Sequence, residues 1–274
     1  MSEIPAAAVK ALREETGLPL MECKKALQES GGDQAAAVEW LRKQGKKTQE
    51  LRIGRETTAG RLAVYVGPGV GAMVEVRCES APVAGSAEFT AFAADVAKQL
   101  ATGPGAATPD DLLKQPTPSA PGKTIGQQLD DMFNRIREVF KLERVVRIDG
   151  HCGGYAHHDG SVAALVELSA DNPALGKDVA MHVVAKKPAA VSKEDLDPAE
   201  VDKEREILSA AARKEGKPEN IIAKMIEGRL KNFYAERVLL EQPFIKDEAQ
   251  TIGKLAQASG VQIKRFMNWQ LPKD

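Results

Sequence analysis

The sequence lacks the features of disulfide-rich, zinc-binding and membrane-spanning proteins. Its three cysteines, Cys23, Cys78 and Cys152, are scattered along 274 residues without a C-x-x-C pair. This spacing argues against a disulfide framework or a structural zinc site and suits reduced thiols. No apolar run approaches the ~20 residues that cross a bilayer, and the N-terminus carries charges where a signal peptide is apolar. We therefore expect a cytoplasmic protein that does not enter a membrane.

Neither sign of charge is in excess. The chain has 38 basic and 39 acidic residues and a formal net charge of −1 at pH 7. Proteins that bind nucleic acid or membrane surfaces usually carry a basic field, so this balance predicts neither partner. One local basic stretch, RKQGKKTQELRIGR (42–55), is typical of a solvated helix end and linker, with contact to an acidic partner as the alternative.

Motifs for nucleotide binding and covalent catalysis are missing as well. The GKT within PGKT (121–124) lies among prolines, which lack the N–H groups that a phosphate-binding loop needs, so we interpret Thr124 as a helix cap. GPGVGA (67–72) joins two predicted strands and indicates a turn. No G-x-S-x-G or H-E-x-x-H pattern occurs, so we do not expect an enzyme.

Hydrophobic periodicity predicts an α+β fold. Residues 4–45 predict three short helices, the third capped by Asp33 and ended by Gly45. A β-hairpin over 61–78 precedes a helix over 86–101, and a second hairpin over 145–169 precedes a second helix over 172–187. Because neither sheet can cover its own face, helices should pack on one side of each. The first three helices should share a core of Val9, Leu12, Met21, Ala26, Leu27, Val38 and Leu41.

Three predicted domains follow from these patterns: a helical module over 1–54, a core N-subdomain over 55–140 and a core C-subdomain over 141–274. Residues 103–123 are rich in proline and glycine and predict an excursion or a linker, after which 124–142 returns to helical spacing. An antiparallel helical hairpin is predicted at about 197–239, broken at EGKPEN. Its apolar stripes comprise Ile207, Leu208, Ala211, Ile222, Met225, Ile226, Leu230 and Phe233.

The stretch HCGGYAHHDG (151–160) holds three of the four histidines. Zinc accepts cysteine and histidine ligands. However, neighbours on a strand point to opposite faces, so His151 and Cys152 cannot both reach one ion without a bulge. On the residues alone, a metal site, an ordinary turn and a contact with a protein partner remain open. The fourth histidine, His182, has apolar neighbours and is interpreted as a core residue.

Six segments resemble, in order along the chain, the bacterial elongation factor Ts family. The first and fifth are highly specific. The resemblance implies a ubiquitin-associated-like helical module, a core of two related subdomains and an inserted helical hairpin. The segments are VKALREETGLPLMECKKAL (9–27), VEVRCES-x-x-VA (74–84), GGYAHHDGSVAALVEL (153–168), AMHVVAKKP (180–188), GKPENIIAKMIEGRLKNF (216–233) and QPFIKD (242–247).

The resemblance also implies a function and a partner. Members of this family are guanine-nucleotide exchange factors for elongation factor Tu, a GTPase of translation elongation, and they use no cofactor or metal. Binding of the exchange protein lowers the affinity of the GTPase for GDP with Mg²⁺, and GDP with Mg²⁺ lowers the affinity for the exchange protein by the same ratio. The helical hairpin is expected to support self-association as a homodimer or to give an accessory grip on the partner.

The resemblance assigns a set of partner-binding residues. Arg13, Leu20, Met21 and Lys24 of the first module are expected to contact the GTPase domain. His157, in the Y-x-H of the second hairpin, is expected to contact the far end of the partner, which leaves His158 and Cys152 as bystanders. No catalytic residue is implied.

Two departures from the family pattern bear on mechanism. Ser80, Ala81, Pro82 and Val83 are also expected to contact the partner, but in the family they are a Thr-Asp-Phe-Val segment whose Asp-Phe pair is the wedge near the magnesium site. Alanine and proline supply neither that charge nor that ring, so a docking or chaperone-like partner with weak exchange activity is the alternative function. The sequence also ends with RFMNWQLPKD (265–274), so we expect it to lack the extra C-terminal helix that many members use to grip the partner.

Overall fold

The computed structural model describes residues 4–52, 54–214 and 218–272 and shows a mixed helix-and-sheet chain, which confirms the α+β class. By their contacts the residues divide into two compact units. The first holds the described residues up to Ala63, the range Val74–Val146 and those after Gln270; the second holds Val64–Met73 and Arg147–Gln270. Within the part described, no helix is long and apolar enough to cross a membrane.

The first unit begins with three helices whose apolar faces meet. They are α1 (Ala6–Thr16), α2 (Leu20–Glu29) and α3 (Gln34–Glu50). Their core holds Val9, Leu12, Leu18, Cys23, Ala26, Leu27, Ala37 and Leu41. The prediction that Met21 belongs to this core was wrong, because its side chain is 70% exposed while Leu18 and Cys23 are buried.

Of the two predictions made for the ends of α3, one was correct and one was wrong. Asp33 caps the helix as predicted, because its carboxylate accepts a hydrogen bond from the backbone N–H of Ala36 at 2.7 Å. Gly45 does not end the helix, which continues to Glu50. Instead, Gly45 allows a close approach to Asn134, since an added Cβ would fall 1.8 Å from the Asn134 amide oxygen.

A three-stranded sheet follows in the order β1-β2-β3. The strands are β1 (Ala59–Gly67), β2 (Val70–Cys78) and β3 (Lys141–Asp149). The first two form the predicted hairpin. Residues 145–149 were predicted in the second hairpin but belong to β3, because Gly150, at φ 148°, interrupts the strand.

Four helices lie between β2 and β3 along the chain. They are α4 (Ala81–Ala84), α5 (Ala87–Thr102), α6 (Pro109–Leu113) and α7 (Ile125–Ile136). The segment predicted as a linker therefore contains α6, which Thr108 caps. Thr124 caps α7 as predicted, in a reciprocal arrangement with Gln127. The predicted continuation of this helix to 142 was wrong, because Arg137 adopts a left-handed conformation with φ 66°.

The second unit contains an antiparallel sheet with strand order β4-β5-β8, packed against a helix. In its register, Tyr155 faces Ala164 and Leu165 faces Met267. The elements are β4 (His151–Ala156), β5 (Val162–Leu168), β8 (Ile263–Gln270) and helix α8 (Pro173–Lys186). The core between them includes Ala164, Val166, Leu168, Leu175, Val179, Ala180 and Val183.

Two longer helices, α9 (Pro198–Lys214) and α10 (Glu219–Arg237), occupy the region of the predicted hairpin. They run antiparallel, because Glu200 near the start of α9 pairs with Arg237 at the end of α10 at 2.7 Å. Of the predicted break EGKPEN, residues 215–217 lie outside the described ranges. Ile207, predicted in the apolar stripe, is 53% exposed.

The chain enters and leaves this helical pair side by side. Ala190 and Val238 form a parallel bridge, and the Leu239 N–H donates to the Ala190 carbonyl at 2.9 Å. The unit also contains the strands β6 (Pro243–Phe244) and β7 (Asp247–Thr251) and the helix α11 (Ile252–Ala258).

Candidate partner-binding sites

The four N-terminal residues assigned to the partner lie on the surfaces of α1 and α2. Cys23, Ala26 and Leu27 turn one face of α2 into the core, so the side chains at other positions of its first turns face solvent. Leu20 is 47% exposed, Met21 is 70% exposed, and Arg13 and Lys24 are also exposed. Neighbouring apolar side chains that are exposed together are a feature of protein-binding surfaces.

Ionic contacts connect this three-helix module to α7 and the residue that follows it. Asp131 of α7 pairs with Arg42 of α3 at 3.6 Å and with Lys123 at 2.6 Å. Glu22 of α2 pairs with Arg137. Since Glu22 lies between Met21 and Lys24 in sequence, this last pair anchors the turn that carries the exposed apolar residues.

Glu138 fixes the segment Ser80–Val83. The Ser80 backbone N–H and hydroxyl donate to its two carboxylate oxygens. Pro82 lies in the single helical turn of α4, where its fixed φ suits the helical conformation. Ala81 and Pro82 are exposed and Val83 is half-buried. The segment therefore presents a blunt turn without a charge or an aromatic ring.

Cys78, just before this segment, is a buried thiol. Its sulfur donates to the Ser80 carbonyl at 3.3 Å. Burial, with a smaller effect of the Glu138 charge, raises the pKa of Cys78 to about 12. The thiol is therefore protonated at neutral pH and is a poor nucleophile.

In the second unit, His157 lies in the turn between β4 and β5. Its Nδ1 lies 2.9 Å from Oδ1 of Asp159, and the same oxygen accepts from the Ser161 N–H and hydroxyl, each at 2.8 Å. Partial burial opposes ionisation of Asp159, but the hydrogen bonds from Ser161 and His157 outweigh it and hold the pKa of Asp159 below its ordinary value.

A groove of about 440 Å³ opens beside this turn. His157, Asp159 and Ser161 lie on its polar side, together with Tyr155. Its apolar lining comprises Val162, Met181, Val184, Ala185 and Ile245. The groove is suited to an apolar side chain that has a polar neighbour.

The histidine-rich stretch does not assemble a metal site in the part of the chain that is described. No group of three His, Cys, Asp or Glu side chains there is arranged to hold an ion. Burial, followed by the charge of Glu167, raises the pKa of Cys152 to about 11, so its thiolate is not available at neutral pH. His182 is a buried core residue as predicted, and its Nε2 lies 2.9 Å from Oε1 of Gln242.

Two residues that shape these sites, Glu138 and Asp159, were missed from the sequence. The Asp-Gly pair at 159–160 is a turn signal, and an aspartate there often accepts hydrogen bonds from nearby backbone N–H groups, so Asp159 was within reach of local rules. Glu138 acts on a serine 58 positions earlier, which no local pattern reveals.

Comparisons with known proteins extend over nearly the whole chain. The family model described as "Elongation factor TS" matches residues 82–273. The protein named Elongation factor Ts from Methylococcus capsulatus is 41% identical over 273 residues, covering 98% of this chain and 92% of its own. That from Kineococcus radiotolerans is 39% identical and covers 98% and 99%, respectively. That from Ruegeria sp. is 40% identical and covers 96% and 91%. These matches confirm the resemblance seen in the sequence: the chain belongs to the elongation factor Ts family.

Proposed function

We propose that this protein is a guanine-nucleotide exchange factor that binds elongation factor Tu with bound GDP and promotes GDP release. Family membership supports the role. The structural observation that carries it is the exposure of Leu20 and Met21 on α2, since two adjacent apolar side chains are expected to be covered by a partner. The activity is non-covalent binding in the cytoplasm, without cofactor, nucleic acid or membrane.

The proposed contacts come from both units. Leu20 and Met21 provide buried area against the GTPase domain, while Arg13 and Lys24 steer association through their exposed charges. His157 provides a separate contact from the second unit. We further propose that residues 1–54 form a ubiquitin-associated-like module, and that 55–140 and 141–274 are related subdomains, because each contains a hairpin followed by a helix.

Exchange follows from coupling between two binding equilibria. A factor that binds the nucleotide-free GTPase more tightly than the GDP-bound form must lower the affinity of the GTPase for GDP by the same ratio. The segment Ser80–Val83 contributes a blunt contact rather than an inserted charge and ring. Opening of the nucleotide site must therefore come from docking of the whole surface, not from an Asp-Phe wedge.

A second candidate is a docking or chaperone-like partner that holds elongation factor Tu without accelerating exchange, and Ala81 and Pro82 are the observation that favours it. The two functions differ in how much more tightly the protein binds nucleotide-free elongation factor Tu than the GDP·Mg²⁺-bound form. Titration of fluorescently labelled protein into nucleotide-free and GDP·Mg²⁺-bound elongation factor Tu measures that ratio. An exchange factor binds the nucleotide-free form at least about tenfold more tightly. Equal affinities would contradict exchange and favour holding.

We also propose that α9 and α10 support a homodimer. Ile207 on α9 is 53% exposed, and a helical pair with an exposed apolar position can pack against a second copy. Sedimentation of the wild type and of a variant with residues 206–230 replaced by a short Gly-Ser loop tests this proposal. A monomeric variant and a dimeric wild type support it, and a monomeric wild type at micromolar concentration contradicts it.

A further inference from the structure

His157 and Asp159 have a defined hydrogen-bond direction. An ionised carboxylate can only accept, so Nδ1 of His157 must carry the proton in the 2.9 Å contact with Oδ1 of Asp159. In the neutral ring Nε2 is then unprotonated. No residue in the described ranges hydrogen bonds to Nε2. The turn thus presents a nitrogen acceptor.

We propose that Asp159 is a positioning residue that fixes His157 as the Nδ1–H tautomer, so that Nε2 accepts a hydrogen bond from an N–H or O–H group of the partner. The partner half of this proposal rests on the proposed function, in which His157 contacts elongation factor Tu. The tautomer half concerns the free chain alone.

The position of Asp159 itself is set by the turn. The Gly160 N–H donates to the His157 carbonyl at 2.8 Å, and the His157 N–H donates to the Val162 carbonyl at 2.9 Å. Gly160 adopts φ 74°, which this tight turn requires. These two backbone hydrogen bonds shape the turn, and the N–H and hydroxyl of Ser161 then hold Oδ1 of Asp159 within hydrogen-bond distance of the His157 ring.

The groove beside His157 makes the direction of this bond matter. A partner group that approaches His157 over Val162, Met181 and Ile245 loses its contact with water. If that group is a hydrogen-bond donor and the ring nitrogen it meets is also protonated, the group is left without an acceptor, which costs free energy. The Nδ1–H tautomer offers it an acceptor, whereas the Nε2–H tautomer would offer it a donor. Asp159 therefore selects a partner that places a donor next to an apolar side chain.

The first test is nitrogen NMR of the histidine ring in the free protein at about pH 8, where histidine rings are ordinarily neutral. Wild type should show His157 as the Nδ1–H tautomer, and Asp159→Ala should shift the ring toward Nε2–H. Asp159→Asn should preserve the tautomer because an amide oxygen can replace Oδ1. Ser161→Ala and His158→Ala are controls that should also preserve it. An Nε2–H ring in wild type, or no change in Asp159→Ala, would overturn the positioning role.

The second test is a double-mutant cycle for binding to elongation factor Tu. His157→Ala and Asp159→Ala should each weaken the complex between about two- and tenfold, and Asp159→Ala should add less than about twofold when His157 is already absent. A merely structural aspartate would give losses that add in full, which overturns the proposal. If His157→Ala leaves the affinity unchanged, both the hydrogen bond to the partner and the proposed contact of His157 are contradicted. The NMR measurement of the tautomer then still tests whether Asp159 positions the ring.

Discussion

Glu138 accepts two hydrogen bonds from Ser80, one from the backbone N–H at 3.1 Å and one from the hydroxyl at 2.6 Å. The carboxylate thereby holds the residue that precedes α4, where Ser80 makes no capping bond of its own. Ala81 and Pro82 are consequently held by a residue that follows them by more than 50 positions in the chain.

Loss of this carboxylate should loosen α4. We expect Glu138→Ala to lower the free energy of unfolding by about 1–2 kcal/mol, because the half-buried Ser80 N–H and hydroxyl lose their acceptor. Urea denaturation measures the loss, and amide exchange at Ala81, Val83 and Ala84 should become faster. Glu143→Ala is the matched control, since Glu143 is exposed and pairs with Lys141 on the surface. Similar losses in both variants would show that Glu138 has no special role.

The exposed cations of the first module should act through steering. We expect the double change Arg13→Ala and Lys24→Ala to weaken binding to elongation factor Tu at least about fivefold and to flatten the salt dependence of the association rate. Stopped-flow association at several ionic strengths measures both. Lys10→Ala removes one positive charge from an exposed position on α1 and should have little effect. An unchanged association rate at low salt in the double variant would contradict the assignment.

Gly153 and Gly176 let β4 and α8 pack backbone against backbone. A Cβ added to Gly153 would fall 2.1 Å from the backbone carbonyl carbon of Gly176, and one added to Gly176 would fall 2.7 Å from Cα of Gly153. We expect Gly153→Ala to destabilise the second unit by about 2 kcal/mol or more, because helix and strand must move apart. Gly228→Ala on α10 meets open space and should stabilise by about 0.5–1 kcal/mol. Thermal unfolding that ranks the two alanine variants in the opposite order would contradict this packing.

His182 should make stability depend on pH. Burial lowers the pKa of His182 below its ordinary value, although the hydrogen bond with Gln242 opposes the shift. As the pH falls, the unfolded chain therefore takes up the proton first, near pH ~6.5, and the free energy of unfolding should decrease below that value. Urea denaturation between about pH 7.5 and 5.5 measures this slope. The slope should shrink in His182→Gln and persist in His151→Gln, which removes an exposed ring; an unchanged slope in His182→Gln would assign it to other groups.

Local chemistry predicted most helices and strands of this fold. The caps at Asp33 and Thr124 and the alternating strands of the first hairpin obey rules that act over a few residues. The errors arose where contacts between residues far apart in the sequence determine the end of a helix or the pairing of a strand. Gly45 was predicted as a helix end, but it serves the close approach of Asn134 from α7. Residues 145–149 alternate like any strand, and only pairing with β2 shows to which sheet they belong.

The candidate sites were predictable to a smaller extent. Met21 satisfies helical spacing for a core position, yet its neighbour Cys23 is buried in its place. His157 was singled out from the sequence as a partner contact, but its hydrogen-bond direction depends on the turn that brings Asp159 to its ring. Spacing in sequence does not encode that distance.

Release of labelled GDP from elongation factor Tu, followed by stopped flow, tests the central claim most directly. The wild-type protein should accelerate release at least about tenfold, equivalent to about 1.4 kcal/mol of barrier, although Ala81 and Pro82 supply no wedge. In the proposed mechanism docking rather than a wedge opens the site, so Ala81→Asp combined with Pro82→Phe should change the accelerated rate little or weaken binding. No acceleration by the wild type, or a further tenfold acceleration by the double variant, would contradict the account.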